Sequence, residues 1–143
     1  MARFRRVNLD GKSITETRIA AAELKPATFA VIADGKFTPA QEVKGQLYVV
    51  MPAYHQGGGI EDPIAEEAMA ICDYAEEGRE FALAVEAGTY KKDTALTIKA
   101  GKVAVAAESD AVIAFVQEDI KLDAPDFIRV RVQRIAAAAS PAA

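Results

Sequence analysis

A stretch of sixteen residues in this chain has a counterpart further along. Residues 25–40 (KPATFAVIADGKFTPA) lie without gaps over residues 91–106 (KKDTALTIKAGKVAVA) at an offset of 66. Six of the sixteen positions are identical: Lys25/Lys91, Thr28/Thr94, Ile32/Ile98, Gly35/Gly101, Lys36/Lys102 and Ala40/Ala106. The match fades into a second pair of apolar runs, Leu47-Tyr48-Val49-Val50 and Ile113-Ala114-Phe115-Val116, at the same offset. In each copy a short run meets a turn, Asp34-Gly35 or Ala100-Gly101, and a second run follows. Strand side chains alternate between faces and glycine accepts the positive φ of a tight turn, so each copy predicts a β-hairpin. The chain is therefore expected to be mainly β: a compact β-barrel or sandwich built from two related β-hairpin units, residues 25–51 and 91–117, with little helix. The competing explanation is chance similarity between two hairpins that share turn chemistry.

The 143 residues fit one domain, large enough to bury a core without staples. No run approaches the roughly 18 apolar residues of a membrane span, so no membrane partner is expected. Arg3, Arg5 and Arg6 are not followed by the apolar stretch of a secretory signal. The single cysteine, Cys72, rules out an internal disulfide and a cysteine-based zinc site, and among Met69, Ile71 and Tyr74 it reads as a small buried hydrophobe. A reducing cytoplasm suits such a chain.

The net charge of −4 conceals an asymmetry. Residues 1–18 hold five cations against two anions, a net +3, which leaves the remainder at −7. A basic segment on an acidic body points toward a negatively charged partner surface. Three clustered arginines are few for nucleic acid, whose binding depends on neutralising many phosphates, so a protein surface is the expected partner. Residues 1–24 are read as an extended N-terminal arm, in which Arg3 to Leu9 alternates charged and apolar side chains and suits addition to a neighbour's sheet. Ser13-Ile14-Thr15-Glu16 matches a helix capping box, yet Ile14, Thr15, Thr17 and Ile19 are β-branched, so residues 13–24 are open between helix and strand.

Residues 25–135 form the β-rich body. Thr28 to Ala33, Lys36 to Thr38 and Gln46 to Met51 read as strands, and the Gly57-Gly58-Gly59 loop as mobile or shaped by a partner. Residues 64–75 allow helix or strand. The preferred reading is a strand pair through Glu76-Glu77-Gly78 into the alternating Phe81, Leu83 and Val85. Phe127 to Gln133 is the clearest amphipathic strand, apolar at 128, 130 and 132 and cationic at 129 and 131. Residues 136–143 are a low-complexity tail, expected to be disordered.

Chemistry is sparse. His55, the only histidine, stands near Glu61 and Asp62, but no second histidine or nearby cysteine completes a metal set. The three glycines lack phosphate-loop spacing, and none of the three serines sits in G-x-S-x-G. Glu108, Asp110, Glu118 and Asp119 read as a solvated acidic rim. No active site, metal or cofactor is expected. Tyr54 and His55 are the candidates for an oligomer or partner contact, and Tyr54, His55 and Tyr90 for a sugar-binding face.

The run FALAVEAGTYKKDTALT, then KAGKVAVA, DAVIAFVQED and IRVRV, resembles the head-decoration (capsid cement) proteins of tailed bacteriophages. The earlier SITETRIAAAELKPATFAVIADGK is similar to their N-terminal segment, with Ala27 after Pro26 where a glycine is usual and Lys92 where one is frequent. The resemblance covers residues 13–134. It implies a non-enzymatic structural protein on the outside of the virion, made in the host cytoplasm. Its partners would be a major capsid protein of HK97-type fold and itself, as homodimer or homotrimer. Carried onto this chain, Arg3, Phe4, Arg5, Arg6 and Ile14 would touch the capsid. On that reading, a chain lacking residues 2–12 keeps its body folded but binds the capsid more weakly. The alternative is a small ligand- or carbohydrate-binding β-module.

Overall fold

The computed structural model describes residues 2–137. Twelve strands make two five-stranded antiparallel sheets and one strand pair. The first sheet contains β1 (Thr15–Ile19), β2 (Phe29–Ala33), β3 (Lys36–Pro39), β4 (Tyr48–Val50) and β5 (Met69–Tyr74), in the order β1-β5-β4-β2-β3. The second contains β6 (Glu80–Val85), β8 (Ala95–Lys99), β9 (Lys102–Val105), β10 (Val112–Val116) and β12 (Asp126–Ile135), in the order β6-β12-β10-β8-β9. A third, two-stranded sheet joins β7 (Gly88–Tyr90) to β11 (Ile120–Leu122). Among the described residues, helix is confined to one 3-10 turn at Tyr54–Gln56.

Ranked by chain order within each sheet, both sheets read first-fifth-fourth-second-third. The offset of 66 holds through the ladders. Phe29 faces Val49 and Ala30 faces Tyr48, as Ala95 faces Phe115 and Leu96 faces Ala114. The four pairs of the β2–β3 hairpin recur one for one in β8–β9. Asp34 and Gly35 have φ of 51° and 78°, and Ala100 and Gly101 have 50° and 82°. Two successive positive φ values mark the primed turns whose twist matches that of the flanking strands. The entry to each hairpin also recurs: Ala27 and Asp93, at φ 67° and 68°, each donate an N–H to the fourth strand, at Val50 and Val116. Beyond the hairpins, β4–β5 repeats in β10–β12 (Val49 faces Asp73; Phe115 faces Arg131), but there the fifth strand has shifted to an offset of 58. Leu24 pairs with Ile64 where Tyr90, 66 residues on, pairs with Ile120. The body is thus two five-stranded sheets of one topology, a larger unit than the expected hairpins.

Neither sheet is a closed barrel. The edges β1 and β3 meet where Ala20 bridges Phe37 and where Arg18 donates to the Gly35 carbonyl, and β6 approaches β9. This coiling gives two cores. The larger joins both halves, with Phe29, Leu47 and Val49 against Phe81, Leu83, Leu96, Ile113 and Val130. The smaller, Ala20, Leu24, Ala30, Phe37, Val50, Ile64 and Cys72, belongs to the first sheet and its loops.

Two open readings resolve to strand. β-Branched residues carry 15–19 into β1 rather than into a helix. Residues 69–74 form β5, but β5 and β6 do not pair: the turn at 76–78 sends the chain from one sheet into the other. The expected free arm is a further correction. Val7 is buried, Asn8 bridges Phe81 on the outer side of β6, and hydrogen bonds run from Ala82 N–H to Val7 (2.8 Å) and from Leu9 N–H to Glu80 (3.0 Å). The alternation of Phe4, Val7 and Leu9 serves this chain's own sheet edge, because burying them there covers apolar surface without a second molecule. Most of the tail, residues 138–143, lies outside the described residues.

Candidate interaction surface

The N-terminal segment is fastened by carboxylates distant in sequence. The Arg3 guanidinium forks onto Glu118 at 2.6 and 3.0 Å and donates to the Phe127 carbonyl at 2.8 Å, while its backbone N–H donates to Asp126 at 3.1 Å. It also lies 5.3 Å from the centre of the Phe4 ring, itself half-buried against the larger core. Burial is the strongest single influence on Glu118 and pushes its carboxyl up. The hydrogen bonds from Arg3 and from the Arg129 N–H, with the two guanidinium charges, outweigh it, so the carboxyl sits below the usual glutamate range. Asn8 Nδ2 and Thr15 Oγ1 each donate at 2.9 Å to Asp73, the one buried carboxylate among the described residues. Asp10 accepts from the Glu80 N–H at 3.2 Å. With these ties and Val7 in the core, deleting residues 2–12 is expected to open the body, contrary to the expectation that the body folds without them.

Arg5 and Arg6 remain exposed. The Tyr54 hydroxyl donates to the Arg5 carbonyl at 2.9 Å, which joins the two groups of candidate contact residues into one ledge: Arg5, Arg6, Tyr54 and His55. Tyr54 is 57% exposed. The loop beneath is held by its own hydrogen bonds. The Ala53 carbonyl accepts from Gln56 and Gly58, Gly57 takes φ 76° to close the turn, and the Gly59 N–H donates to Asp62. No hydrogen bond links Ile14 to this ledge; it leads into β1, 57% exposed, its carbonyl accepting from the Tyr74 N–H.

Other expected sites are differently employed. Tyr90 is buried with its hydroxyl on the Glu86 carbonyl at 2.8 Å, so it cannot share a sugar-binding face with Tyr54. Asp62 is held by Gly59 rather than by His55. Among the described residues no three His, Cys, Asp or Glu side chains are placed to hold a metal. Three of the four acidic-rim residues have structural roles: Asp110 accepts from Ala107 and pairs with Lys99, Glu118 holds Arg3, and Asp119 accepts from the Lys92 N–H; Glu108 is exposed to solvent. Burial pushes the Cys72 thiol up, which leaves it inert. On the outer face of β12, Glu80 takes Arg129 and Arg131, chiefly through the Arg129 hydrogen bond, and its carboxyl is held below the usual range.

No protein-family model matches the chain, and no curated protein matches it in sequence. Among the described residues no helix is long and apolar enough to cross a membrane.

Proposed function

We propose that the protein is a non-enzymatic head-decoration protein of a tailed bacteriophage, which binds the outside of the capsid and stabilises the expanded head by bridging major capsid subunits of HK97-type fold. The sequence resemblance over residues 13–134 motivates the reading. The observation that carries it is the ledge on which exposed Arg5 and Arg6 stand beside Tyr54 and His55. Arginine and tyrosine are the residues that most often anchor protein interfaces, through forked hydrogen bonds and rigid aromatic area. Here they extend from an otherwise acidic chain. Cementing is multivalent: a symmetric oligomer that touches several capsid subunits forms its later contacts at high effective concentration, so modest single contacts give firm attachment. Both partner and location, the capsid exterior of the virion, follow from this reading.

The test is co-sedimentation with expanded and unexpanded phage heads that lack the protein. Saturable pelleting with expanded heads is expected, and the double variant Arg5→Glu/Arg6→Glu should weaken it at least about tenfold, equivalent to about 1.4 kcal/mol. Both side chains are exposed, so the variant's melting curve should match that of the native chain. Undiminished pelleting of the variant would remove the ledge from the contact. Failure of the native chain to pellet with either head would overturn the capsid reading. A second reading, a small ligand- or carbohydrate-binding β-module, is favoured by the open groove of about 620 Å³ beside Ile32, Thr38, Gln41 and Tyr48.

A further inference from the structure

We propose that the free edge of β1 pairs with the same edge of a second copy of this chain, antiparallel and two-fold about Ile14. The argument starts from hydrogen-bond parity. Tyr74 donates to the Ile14 carbonyl and Ala20 donates to the Ala68 carbonyl, so the even-numbered residues of β1 turn their N–H and C=O toward β5. The Lys12 carbonyl also turns inward, onto Asn8 Nδ2 at 2.9 Å, and carries the alternation back through Ser13. The backbone groups of Ser13, Thr15 and Thr17 therefore point outward, where β1 is the sheet's edge and no hydrogen bond reaches them. Past Thr17 the edge is covered: Arg18 donates to the Gly35 carbonyl and Ala21 to the Phe37 carbonyl. Residues 12–17 are the open template, with no proline to blunt it.

The side chains choose the occupant and the register. A two-fold axis at Ile14 sets Ser13 against Thr15 of the second copy as a fully hydrogen-bonded pair. It brings Ile14 against Ile14 in the closer, non-bonded pair, and Lys12 against Glu16 twice over. The neighbouring two-fold registers set Lys12 against Arg18, or Asp10 against Glu16, and the next pair set Lys12 against Lys12 or Glu16 against Glu16. Only the Ile14 register is complementary in charge throughout. It also covers a large aliphatic side chain that stands 57% exposed in the single chain. Tyr74 lies beside Ile14, and its ring packs edge-on against Tyr48 (5.5 Å) and through it on Phe37 (5.4 Å), so the pairing would bring two such stripes together. The pairing involves none of the ledge residues and does not depend on the capsid reading.

Sedimentation equilibrium of the full chain tests it. A five-residue strand contact, Lys12 to Glu16, is small, so a reversible monomer–dimer equilibrium with Kd on the order of 10 μM is expected. Lys12→Glu and Glu16→Lys should each weaken dimerisation at least about tenfold by creating two like-charge pairs. The double variant Lys12→Glu/Glu16→Lys should restore it, with circular dichroism confirming the fold in all three. A monomer at every concentration, a trimer, single variants that dimerise as the native chain does, or a double variant that is not rescued would each overturn the proposal.

Discussion

Ala100 and Asp34 stand at the same place in the two hairpins, at φ of 50° and 51°. Aspartate tolerates this left-handed region because its short polar side chain hydrogen-bonds locally. Alanine has no such compensation, and its Cβ crowds the following carbonyl at a cost of about 1–2 kcal/mol. Ala100 is exposed, so its methyl group contributes little in return. Ala100→Asn, which builds the Asn-Gly pair preferred in primed turns, should raise stability by about 1 kcal/mol in urea melts. A loss of stability would show that the turn is not the strained position it is read to be. The coincident Gly35 and Gly101 made these turns legible in the sequence. The partners of Arg3 were not, because Glu118 and Asp126 lie more than a hundred residues away and Glu118 looked like a member of a solvated acidic rim. Asp73 was equally obscure, since burial of its carboxylate is decided by Asn8 and Thr15 arriving from another segment.

At the scale of elements, the hairpins were readable because hairpin pairing is local and fixed by turn chemistry. The fifth strands were not. β5 and β12 occupy equivalent positions at an offset of 58 instead of 66, so the ungapped comparison that aligns the hairpins does not bring them together. The N-terminal segment misled for a related reason: its alternation specifies a strand partner but does not say whose strand. Its attachment through Glu118, and the grip of Glu80 on Arg129 and Arg131 of β12, carry a pH signature. Glu118 and Glu80 have folded-state carboxyls depressed below the ordinary range, so the stability they contribute is complete above the unfolded value, about 4.3, and is lost as pH falls from there through the folded values. Urea midpoints measured from pH 7 down to pH 3 should fall below about pH 5, and the double variant Glu80→Gln/Glu118→Gln should show a shallower decline over the same interval. An equally steep decline in the variant would assign the acid sensitivity to other carboxylates.

At the scale of the whole molecule, the two sheets share one topology and the larger of the two cores. The larger cluster takes Val7, Phe29 and Val49 from the first half and Phe81, Leu96 and Val130 from the second. The second sheet therefore depends on residues of the first half to complete its packing. The smaller cluster around Phe37 lies wholly within the first half, and could in principle melt by itself. The shared strands decide against this: β2 gives Phe29 to one cluster and Ala30 to the other, and β4 divides Val49 and Val50 in the same way, so loosening one cluster displaces the backbone that presents the other. Phe37 is fully buried, and Phe37→Ala should cost about 3–5 kcal/mol through lost burial and the cavity left behind. In calorimetry that loss should move a single transition to lower temperature, with calorimetric and van't Hoff enthalpies still equal. An early partial transition, leaving the second sheet to melt at its original temperature, would mean that the two halves are energetically separate units joined only in sequence.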